Sequence, residues 1–431
     1  MKSLSLALLA ATLLAGCNST TTSGTAETAA VSAATLLTPG PWRGELAVQS
    51  QKLPFLFEVK TEAGQPVVYL INKGLNGEER LRCEEISAAG DSVTIRLHVF
   101  DAALVVHADG KNKLKGTWVK YDAKTPYRVP LTATVGGGQL YPLREEDGFG
   151  KLSGTWRTEF KGDDNKPYPA VGIFQKANPK NTDSGVLAGT FLTTTGDYRY
   201  LSGHNVGDRL EMATFDGSHA FLFTATKQAN GTLKGDFYSG KGGHETWTAT
   251  LDPTAKLPDA DTLTYLRKGE SRLNFKFPSL VKGSSISPTD AKYKGKVVVL
   301  QVLGSWCPNC MDESKFLAPW YEQNKVRGVE VIGLGYERMA DYDQAAARLR
   351  QMKERLAIGY DVAVAGVANK DSVAKSMPQL AKFLAFPTTI FLDKKGVVRS
   401  IHTGYSGPGT GKYYEEEKAH FNRTVDKLLK E

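Results

Sequence analysis

Two different spacings of hydrophobic residues divide the chain. Between Pro41 and about Pro253, short stretches alternate apolar and polar residues, as in Phe55–Val59 and Val93–Leu97, and Gly, Asn, Asp and Lys separate them. This alternation predicts antiparallel strands, because successive side chains of a strand point to opposite faces. Helical spacing is hard to find in this part of the chain, so we expect an all-β region.

The all-β region also repeats itself. Four short motifs recur in the same order at nearly constant spacing: Trp42-Arg43 and Trp156-Arg157, Phe100-Asp101 and Phe215-Asp216, Leu114-Lys115-Gly116 and Leu233-Lys234-Gly235, Thr132-Ala133-Thr134 and Thr248-Ala249-Thr250. This recurrence indicates a duplicated unit, over residues 39–135 and 148–253, with a Gly-rich hinge between the copies. The spacing leaves open whether each copy closes into a barrel or both share one sandwich. Four tryptophans are assigned to packing: Trp42, Trp118, Trp156 and Trp247.

After Pro253, predicted strands and helices alternate. The strands are Asn274–Phe277, Lys296–Leu303, Val329–Leu334, Asp361–Ala365, Thr388–Leu392 and Val397–His402. The helices are Cys307–Gln323, Asp341–Leu356, Asp371–Phe383 and Lys412–Lys430. This order predicts an α/β domain over residues 270–431, so the whole chain is expected to be multidomain, with a duplicated all-β N-terminal region before it.

The N-terminus has the pattern of an export signal. Leu4 to Leu14 form an apolar stretch shorter than the roughly 20 residues that span a bilayer. Leu14-Ala15-Gly16-Cys17 resembles the lipobox of bacterial lipoproteins. That resemblance implies a signal peptide over residues 1–16, lipidation of Cys17 and a bacterial membrane facing the periplasm; Asn18 favours the outer membrane over the inner one. Residues 17–38 are rich in Ser, Thr, Ala and Gly, which predicts a flexible tether.

Composition and charge indicate a globular protein that does not bind nucleic acid. The 431 residues are 41% hydrophobic and 23% charged, as in ordinary globular proteins, and they are enough for several domains. The formal charge of +8 is spread among acidic residues without a basic run, so nucleic acid is not an expected partner.

The strongest chemical signal is Trp306-Cys307-Pro308-Asn309-Cys310, which follows a buried strand and begins a helix. The helix N-terminus favours an ionised sulfur, so Cys307, at the exposed tip, is expected to attack a substrate disulfide. Cys310 lies one helical turn further in and can resolve the mixed disulfide. Pro308 suits the first turn of a helix because it lacks an N–H group.

From about Leu273 onward the chain resembles the thioredoxin superfamily, and within it the exported TlpA/ResA-like reductases. The resemblance rests on the Trp-Cys-x-x-Cys core and on three further segments: Tyr293-Lys294-Gly295-Lys296, Glu313 three residues after the second Cys, and Phe386-Pro387-Thr388-Thr389. It implies a thioredoxin-like fold, a cis peptide before Pro387 and a groove there for the substrate backbone. Where thioredoxins usually carry a Pro, five residues after the second Cys, this chain has Lys315.

The family also carries a Glu at the end of the strand after the first helix, and Glu337 matches that position. A partly buried carboxylate there could exchange a proton with Cys310, whereas the alternative is a solvated loop residue. Glu313 is interpreted as a surface helix residue.

Other readings of the polar residues are weaker. A zinc site would need a second pair of Cys or His ligands, and none is visible, so neither a metal nor a cofactor is expected. Cys83 is interpreted as a half-buried structural thiol. His402 is interpreted as structural or exposed.

These features favour a membrane-anchored thiol–disulfide oxidoreductase. The resemblance implies that it reduces oxidised thiol proteins outside the cytoplasm and receives electrons from a membrane thiol donor. One alternative is a peroxiredoxin-like thiol peroxidase, although Gly304-Ser305-Trp306 replaces the Pro and Thr of that class. The other is a binding lipoprotein whose β-repeats recruit a client, with the redox activity secondary.

Overall fold

The computed structural model describes residues 32–122, 125, 127–141, 152–162, 165–177 and 186–431. The expected signal peptide, the lipid-bearing Cys17 and the tether up to residue 31 lie outside these ranges. Among the described residues, no helix has the length and apolar character needed to cross a bilayer.

The last residues of the expected tether have regular structure. Helix α1 spans Ala33–Leu36, and the Ser32 side chain caps it by accepting a hydrogen bond from the Thr35 N–H group. Leu36 and Leu37 are buried in the core of the strands that follow. The apolar residues at the end of the tether are therefore part of the first folded unit.

The first β unit is an open antiparallel sheet in the spatial order β4-β3-β2-β1-β9-β8-β7-β6-β5. Its strands are β1 Gly40–Val48, β2 Gln51–Glu62, β3 Gln65–Gly74, β4 Gly77–Cys83, β5 Ile86–Ala89, β6 Ser92–Arg96, β7 Ala102–Ala108, β8 Lys113–Lys120 and β9 Tyr127–Val135. Strand β1 pairs with both β2 and β9, so the first and last strands of the unit are neighbours, but the outer strands β4 and β5 do not pair with each other. The unit is therefore a half-barrel.

The second β unit closes completely. Its strands are β10 Gly154–Lys161, β11 Pro167–Lys176, β12 Val186–Thr193, β13 Gly196–Asp197, β14 Leu201–Val206, β15 Arg209–Phe215, β16 Ala220–Lys227, β17 Leu233–Ser239 and β18 Gly243–Leu251. They follow the order β11-β10-β18-β17-β16-β15-β14-β12, and β12 pairs back to β11. Closure of this kind removes the exposed edges of the sheet.

The cores of the two units are linked. Phe215 and Leu222 of the second unit lie in the same hydrophobic cluster as the half-barrel's inward-facing residues. The cluster also contains Met311, from the C-terminal domain. The four tryptophans assigned to packing are all buried, which confirms that prediction: Trp42, Trp118, Trp156 and Trp247. Cys83 is also fully buried, rather than half-buried, and burial raises the pKa of its thiol to about 12.

The C-terminal domain is a five-stranded sheet in the order β24-β23-β22-β26-β27. The strands are β22 Val297–Leu303, β23 Val329–Glu337, β24 Asp361–Val367, β26 Thr388–Leu392 and β27 Val398–Thr403, and the helices are α2 Pro308–Asn324, α3 Tyr342–Arg355, α4 Lys370–Ser376 and α5 Lys412–Lys430. Strands β22, β23 and β24 are parallel, whereas β26 and β27 are antiparallel additions. Short pairs complete the domain: β19 Tyr265–Leu266 with β25 Leu380–Lys382, and β20 Phe277–Pro278 with β21 Ser285–Ile286. Both faces of the sheet are covered, which explains the apolar runs of β22 and β23.

The helix predicted over Asp371–Phe383 is wrong in its second half. Helix α4 stops at Ser376, and Leu380–Lys382 form strand β25 instead. Pro378 explains the stop, because a proline lacks the N–H group of a helix interior and keeps the preceding residue out of the helical conformation. The strand predicted over Asn274–Phe277 is also mostly irregular, and only its last residue pairs in β20.

Candidate active site

Cys307 and Cys310 lie where β22 ends and α2 begins, and both are free thiols. Cys307 is the N-cap residue of α2, and its Sγ accepts a hydrogen bond from the Cys310 N–H group at 3.4 Å. Gly304 allows the tight turn before the pair, since an added Cβ would lie 2.2 Å from the Trp306 indole nitrogen. The cysteines therefore sit at the positive end of a helix dipole.

The attacking sulfur is less accessible than the sequence predicts. Cys307 is only 7% exposed and Cys310 is fully buried. The Cys307 Sγ lies 3.8 Å from the Phe386 carbonyl oxygen, next to the Phe386–Pro387 peptide, which is cis as predicted. The sequence predicts Cys307 at an exposed tip, but its side chain is buried next to this loop.

The inner thiol is held in its protonated form. Burial raises the pKa of Cys310 well above the usual range, and the hydrogen bond with Cys307 and the charge of that sulfur raise it further. The charge of Glu313 acts in the same direction. Cys310 must therefore pass its proton to a nearby base before it can act as a nucleophile.

Trp306 packs against the hydrophobic cluster that contains Cys307. Its indole N–H group donates to the Tyr336 carbonyl oxygen at 2.9 Å, and its ring packs edge-on against Phe386. The Arg338 guanidinium lies over the other part of the ring, 4.8 Å from its centre. The indole is therefore fixed from three sides beside Cys307.

Glu337, the last residue of β23, is buried rather than solvated. Its two carboxylate oxygens accept hydrogen bonds from the Ser305 N–H group and the Ser305 hydroxyl, both at 2.8 Å. Burial raises the pKa of Glu337 to about 7 although the two hydrogen bonds oppose that shift. The interpretation of Glu337 as a solvated loop residue is therefore excluded, and its role in proton exchange stays a prediction.

Because of that shift, replacing Glu337 with Gln is expected to change how stability depends on pH. The wild-type carboxyl group titrates near 4.5 when unfolded and near 7 when folded, so the folded state keeps a proton that the unfolded state releases. Its contribution to the free energy of unfolding is complete below about pH 4.5 and declines up to about pH 7, by roughly 3 kcal/mol in all. As the pH rises through this range, urea unfolding should show the free energy of unfolding of Glu337→Gln increasing by roughly 3 kcal/mol relative to that of wild type.

The matched control for this experiment is Glu322→Gln, on the exposed part of α2. Its unfolding free energy should run parallel to that of wild type across the same pH range. Parallel curves for Glu337→Gln as well would show that the folded Glu337 carboxyl group titrates normally.

Glu313 is a second buried carboxyl group, and its interpretation as a surface residue is wrong. It is 3% exposed, on the face of α2 that packs on the sheet. Gln301 donates to it at 2.8 Å, and the Thr389 hydroxyl donates to its other oxygen. Burial raises the pKa of Glu313 to about 7 against these hydrogen bonds. The available signal was Gln301, a polar residue inside an apolar strand that needs a buried partner.

The second β unit covers both sides of the cysteine pair, which sequence reasoning missed. The Ser218 hydroxyl donates to the Trp306 carbonyl oxygen at 3.0 Å. The Asn309 side-chain amide donates to the Asp197 carbonyl oxygen at 3.1 Å. Gly196 permits this approach, because a Cβ there would lie 2.4 Å from the Asn309 amide nitrogen.

A buried charge network centred on Arg199 holds the second β unit against helix α2. Arg199 donates to both oxygens of Asp312 of α2, from Nε and Nη2, at 2.8 Å each. Nη2 also donates to Glu79 of β4 at 2.8 Å, and Nη1 donates to Asp216 at 3.1 Å. Each of these four side chains is at least nine-tenths buried. The network therefore joins all three folded units.

Lys315 completes the network and explains the departure from the thioredoxin pattern. Its ammonium group lies 3.1 Å from Glu79, in the first β unit. Burial alone would raise the pKa of Glu79, but the charges of Arg199 and Lys315 outweigh it and hold that pKa below its usual value. The position where thioredoxins usually carry a Pro is therefore used here to bind a neighbouring unit.

Comparison with known proteins agrees with this geometry. A family model described as Redoxin matches residues 267–418. The C-terminal domain is therefore a Redoxin domain of the thioredoxin-like class, and the protein is a thiol–disulfide oxidoreductase.

The relatives carry matching names. The thiol:disulfide interchange protein DsbE of Escherichia coli (strain K12) is 26% identical over 181 residues, covering 39% of this chain and 83% of the relative. The thiol-disulfide oxidoreductase ResA of Halalkalibacterium halodurans is 25% identical over 138 residues, covering 32% of this chain and 69% of the relative. The crystal structure of a secreted thiol-disulfide isomerase from Corynebacterium glutamicum covers 41% of this chain and 99% of its own, with 22% identity and a TM-score of 0.29.

Proposed function

We propose that this protein is an exported, lipid-anchored oxidoreductase that reduces disulfides of exported proteins with the Cys307–Cys310 pair. The observation that carries the proposal is the placement of Cys307 at the N-terminus of α2, beside the cis Pro387 and above the buried Cys310. Export and attachment through Cys17 rest on the sequence pattern at residues 1–17. The relatives' names support the exchange chemistry.

The reaction proceeds through two sulfur exchanges. The Cys307 thiolate attacks one sulfur of the client disulfide, forms a mixed disulfide and releases the first client thiolate. Cys310 then loses its proton and attacks the Cys307 sulfur, which releases the second client thiolate and leaves a Cys307–Cys310 disulfide. A thiol donor in the membrane returns the two electrons. The client is reduced by the same two electrons that the pair loses.

The two buried carboxyl groups are proposed to accept and return the proton that Cys310 exchanges. Both Glu313 and Glu337 have a pKa raised to about 7, which suits a group that takes and returns a proton near neutral pH. The Glu313 carboxylate interacts with the Cys310 thiol directly, because its negative charge raises the pKa of that thiol. We assign Glu337 to the loop before Cys307, where it orients Ser305 and can exchange protons with the site.

The β region is proposed to be a duplicated unit that controls access to the site. In both units the first strand pairs with the second and with the last, and the first tryptophan of each donates to a carbonyl oxygen four residues earlier, Trp42 to Thr38 and Trp156 to Leu152. The low exposure of Cys307, with its flanking residues held by the second unit, supports a role in selecting clients.

The direction of electron flow is tested by the equilibrium reduction potential of the pair. The full chain carries Cys83→Ala, so that the pair supplies the only thiols among the described residues. It is equilibrated in glutathione or dithiothreitol buffers and its thiols are trapped. A potential near that of thioredoxin, about −270 mV, supports a reductase, whereas one near −120 mV would make the pair an oxidant. Failure to form the Cys307–Cys310 disulfide at any potential would contradict the proposed chemistry.

A further inference from the structure

A cluster of three side chains lies away from the cysteines, at the edge of the C-terminal domain. Asp261 is in a short turn of helix, Ala260–Thr262, that links the β region to this domain; His402 is on β27 and His420 on α5. One carboxylate oxygen and one ring nitrogen from each histidine all lie within 4.8 Å of one another. The histidines are far apart in sequence from Asp261, and folding brings the three together.

The three ligand atoms lie close enough together to hold one metal ion. The His402 Nδ1 lies 2.7 Å from one Asp261 oxygen, and the His420 Nε2 lies 3.4 Å from the other. The second value is close to the separation of two ligand atoms around a four-coordinate ion with bonds of roughly 2.0–2.1 Å. Small rotations of the side chains would place all three atoms around one ion.

The second ring nitrogen of His402 contacts a carboxylate, as is common for histidines that bind metals. Its Nε2 lies 2.9 Å from a carboxylate oxygen of Glu417. A carboxylate that binds the second ring nitrogen fixes the orientation of the imidazole and directs its first nitrogen toward the ion. Here that first nitrogen is Nδ1, which faces Asp261.

Ion pairing alone leaves part of the cluster unexplained. A protonated His402 between Asp261 and Glu417 would account for both of its short contacts. It accounts less well for the His420 Nε2, which is shielded from solvent and whose contact with the Asp261 carboxylate, at 3.4 Å, is not a well-formed hydrogen bond. A shielded ring nitrogen without a well-formed hydrogen bond is unfavourable, and an ion shared with Asp261 would satisfy it.

We propose that Asp261, His402 and His420 bind a divalent cation of the zinc class, with water at the fourth position. Two imidazoles and one carboxylate suit zinc and its transition-metal neighbours, whereas calcium and magnesium prefer oxygen ligands alone. The ligands come from the linker, the last strand and the last helix, so the ion would tie the linker to the C-terminal domain. This inference is independent of the proposed thiol chemistry.

The test is direct metal binding to the full chain. The background carries Cys307→Ser and Cys310→Ser, because free thiols bind the same ions. After treatment with a chelator, zinc is titrated by calorimetry and cobalt by its visible absorption. We expect one equivalent of each ion to bind, and His420→Gln to weaken zinc binding at least 100-fold. Glu417→Gln should weaken it by about 10- to 100-fold through the orientation of His402.

The matched control is His244→Gln. His244 lies 2.9 Å from Asp236, a histidine–carboxylate pair in the second β unit that no cluster of three includes among the described residues. This variant should keep the full affinity for zinc. The proposal is overturned if the parent binds no zinc, or if His420→Gln, shown by circular dichroism to be folded, binds it as tightly as the parent does.

Discussion

Replacing Cys307 with Ser is expected to lower the rate of disulfide exchange at least about 10³-fold, because the hydroxyl cannot serve as the attacking thiolate. Replacing Cys310 with Ser should instead stop the reaction after its first step. The Cys307 sulfur would still attack, and the mixed disulfide would persist because nothing resolves it. The measurement is the rate with a small aromatic disulfide, together with non-reducing electrophoresis and mass spectrometry of the trapped adduct.

Cys83→Ala is the control for these two variants. Its thiol is buried in the β region, so the variant should exchange disulfides at the wild-type rate. The assignment of roles would be contradicted if Cys310→Ser turned over normally, or if Cys307→Ser formed a stable adduct through Cys310.

Replacing Arg199 with Ala is expected to lower the free energy of unfolding by about 3–5 kcal/mol, because the carboxylates that it binds would remain buried without their counter-charge. Those carboxylates are Glu79, Asp216 and Asp312, from three different parts of the fold. The loss should appear as a lower denaturant midpoint in urea unfolding followed by tryptophan fluorescence.

Lys282→Ala provides the comparison for a salt bridge in solvent. Lys282 pairs with Asp343, but their side chains are 78% and 67% exposed, so its removal should cost about 1 kcal/mol or less. An equally small loss for Arg199→Ala would show that the buried network does not hold the units together.

The sequence predicts the C-terminal domain well because its signals are local. An apolar strand followed by Trp306, the cysteine pair and a helix places the reactive sulfurs without any knowledge of tertiary contacts. The helix predicted over Cys307–Gln323 begins and ends within one residue of α2. The error at α4 is also local, since Pro378 was present in the sequence and its effect on the helix was overlooked.

The missed features depend on residues that are distant in sequence. Glu313 has the spacing of an exposed helix position until Gln301 and Thr389 are known to face it. The burial of Cys307 depends on a β unit more than 80 residues earlier in the chain, through Ser218 and its contact with Trp306. Spacings of Cys and His in the sequence do not indicate the proposed metal ligands, because their carboxylate, Asp261, lies 141 positions from His402.

The charge network of Arg199 also bears on how this protein can be divided for study. Sequence boundaries near residues 253 and 270 mark the C-terminal domain as an obvious fragment to express alone. Such a fragment would expose Met311 and leave Asp312 and Lys315 without Arg199 and Glu79, their partners in the whole chain. Its behaviour would be that of an oxidoreductase whose first helix has lost its contacts with both β units, so a change in its reactivity could not be assigned to the cysteine pair alone.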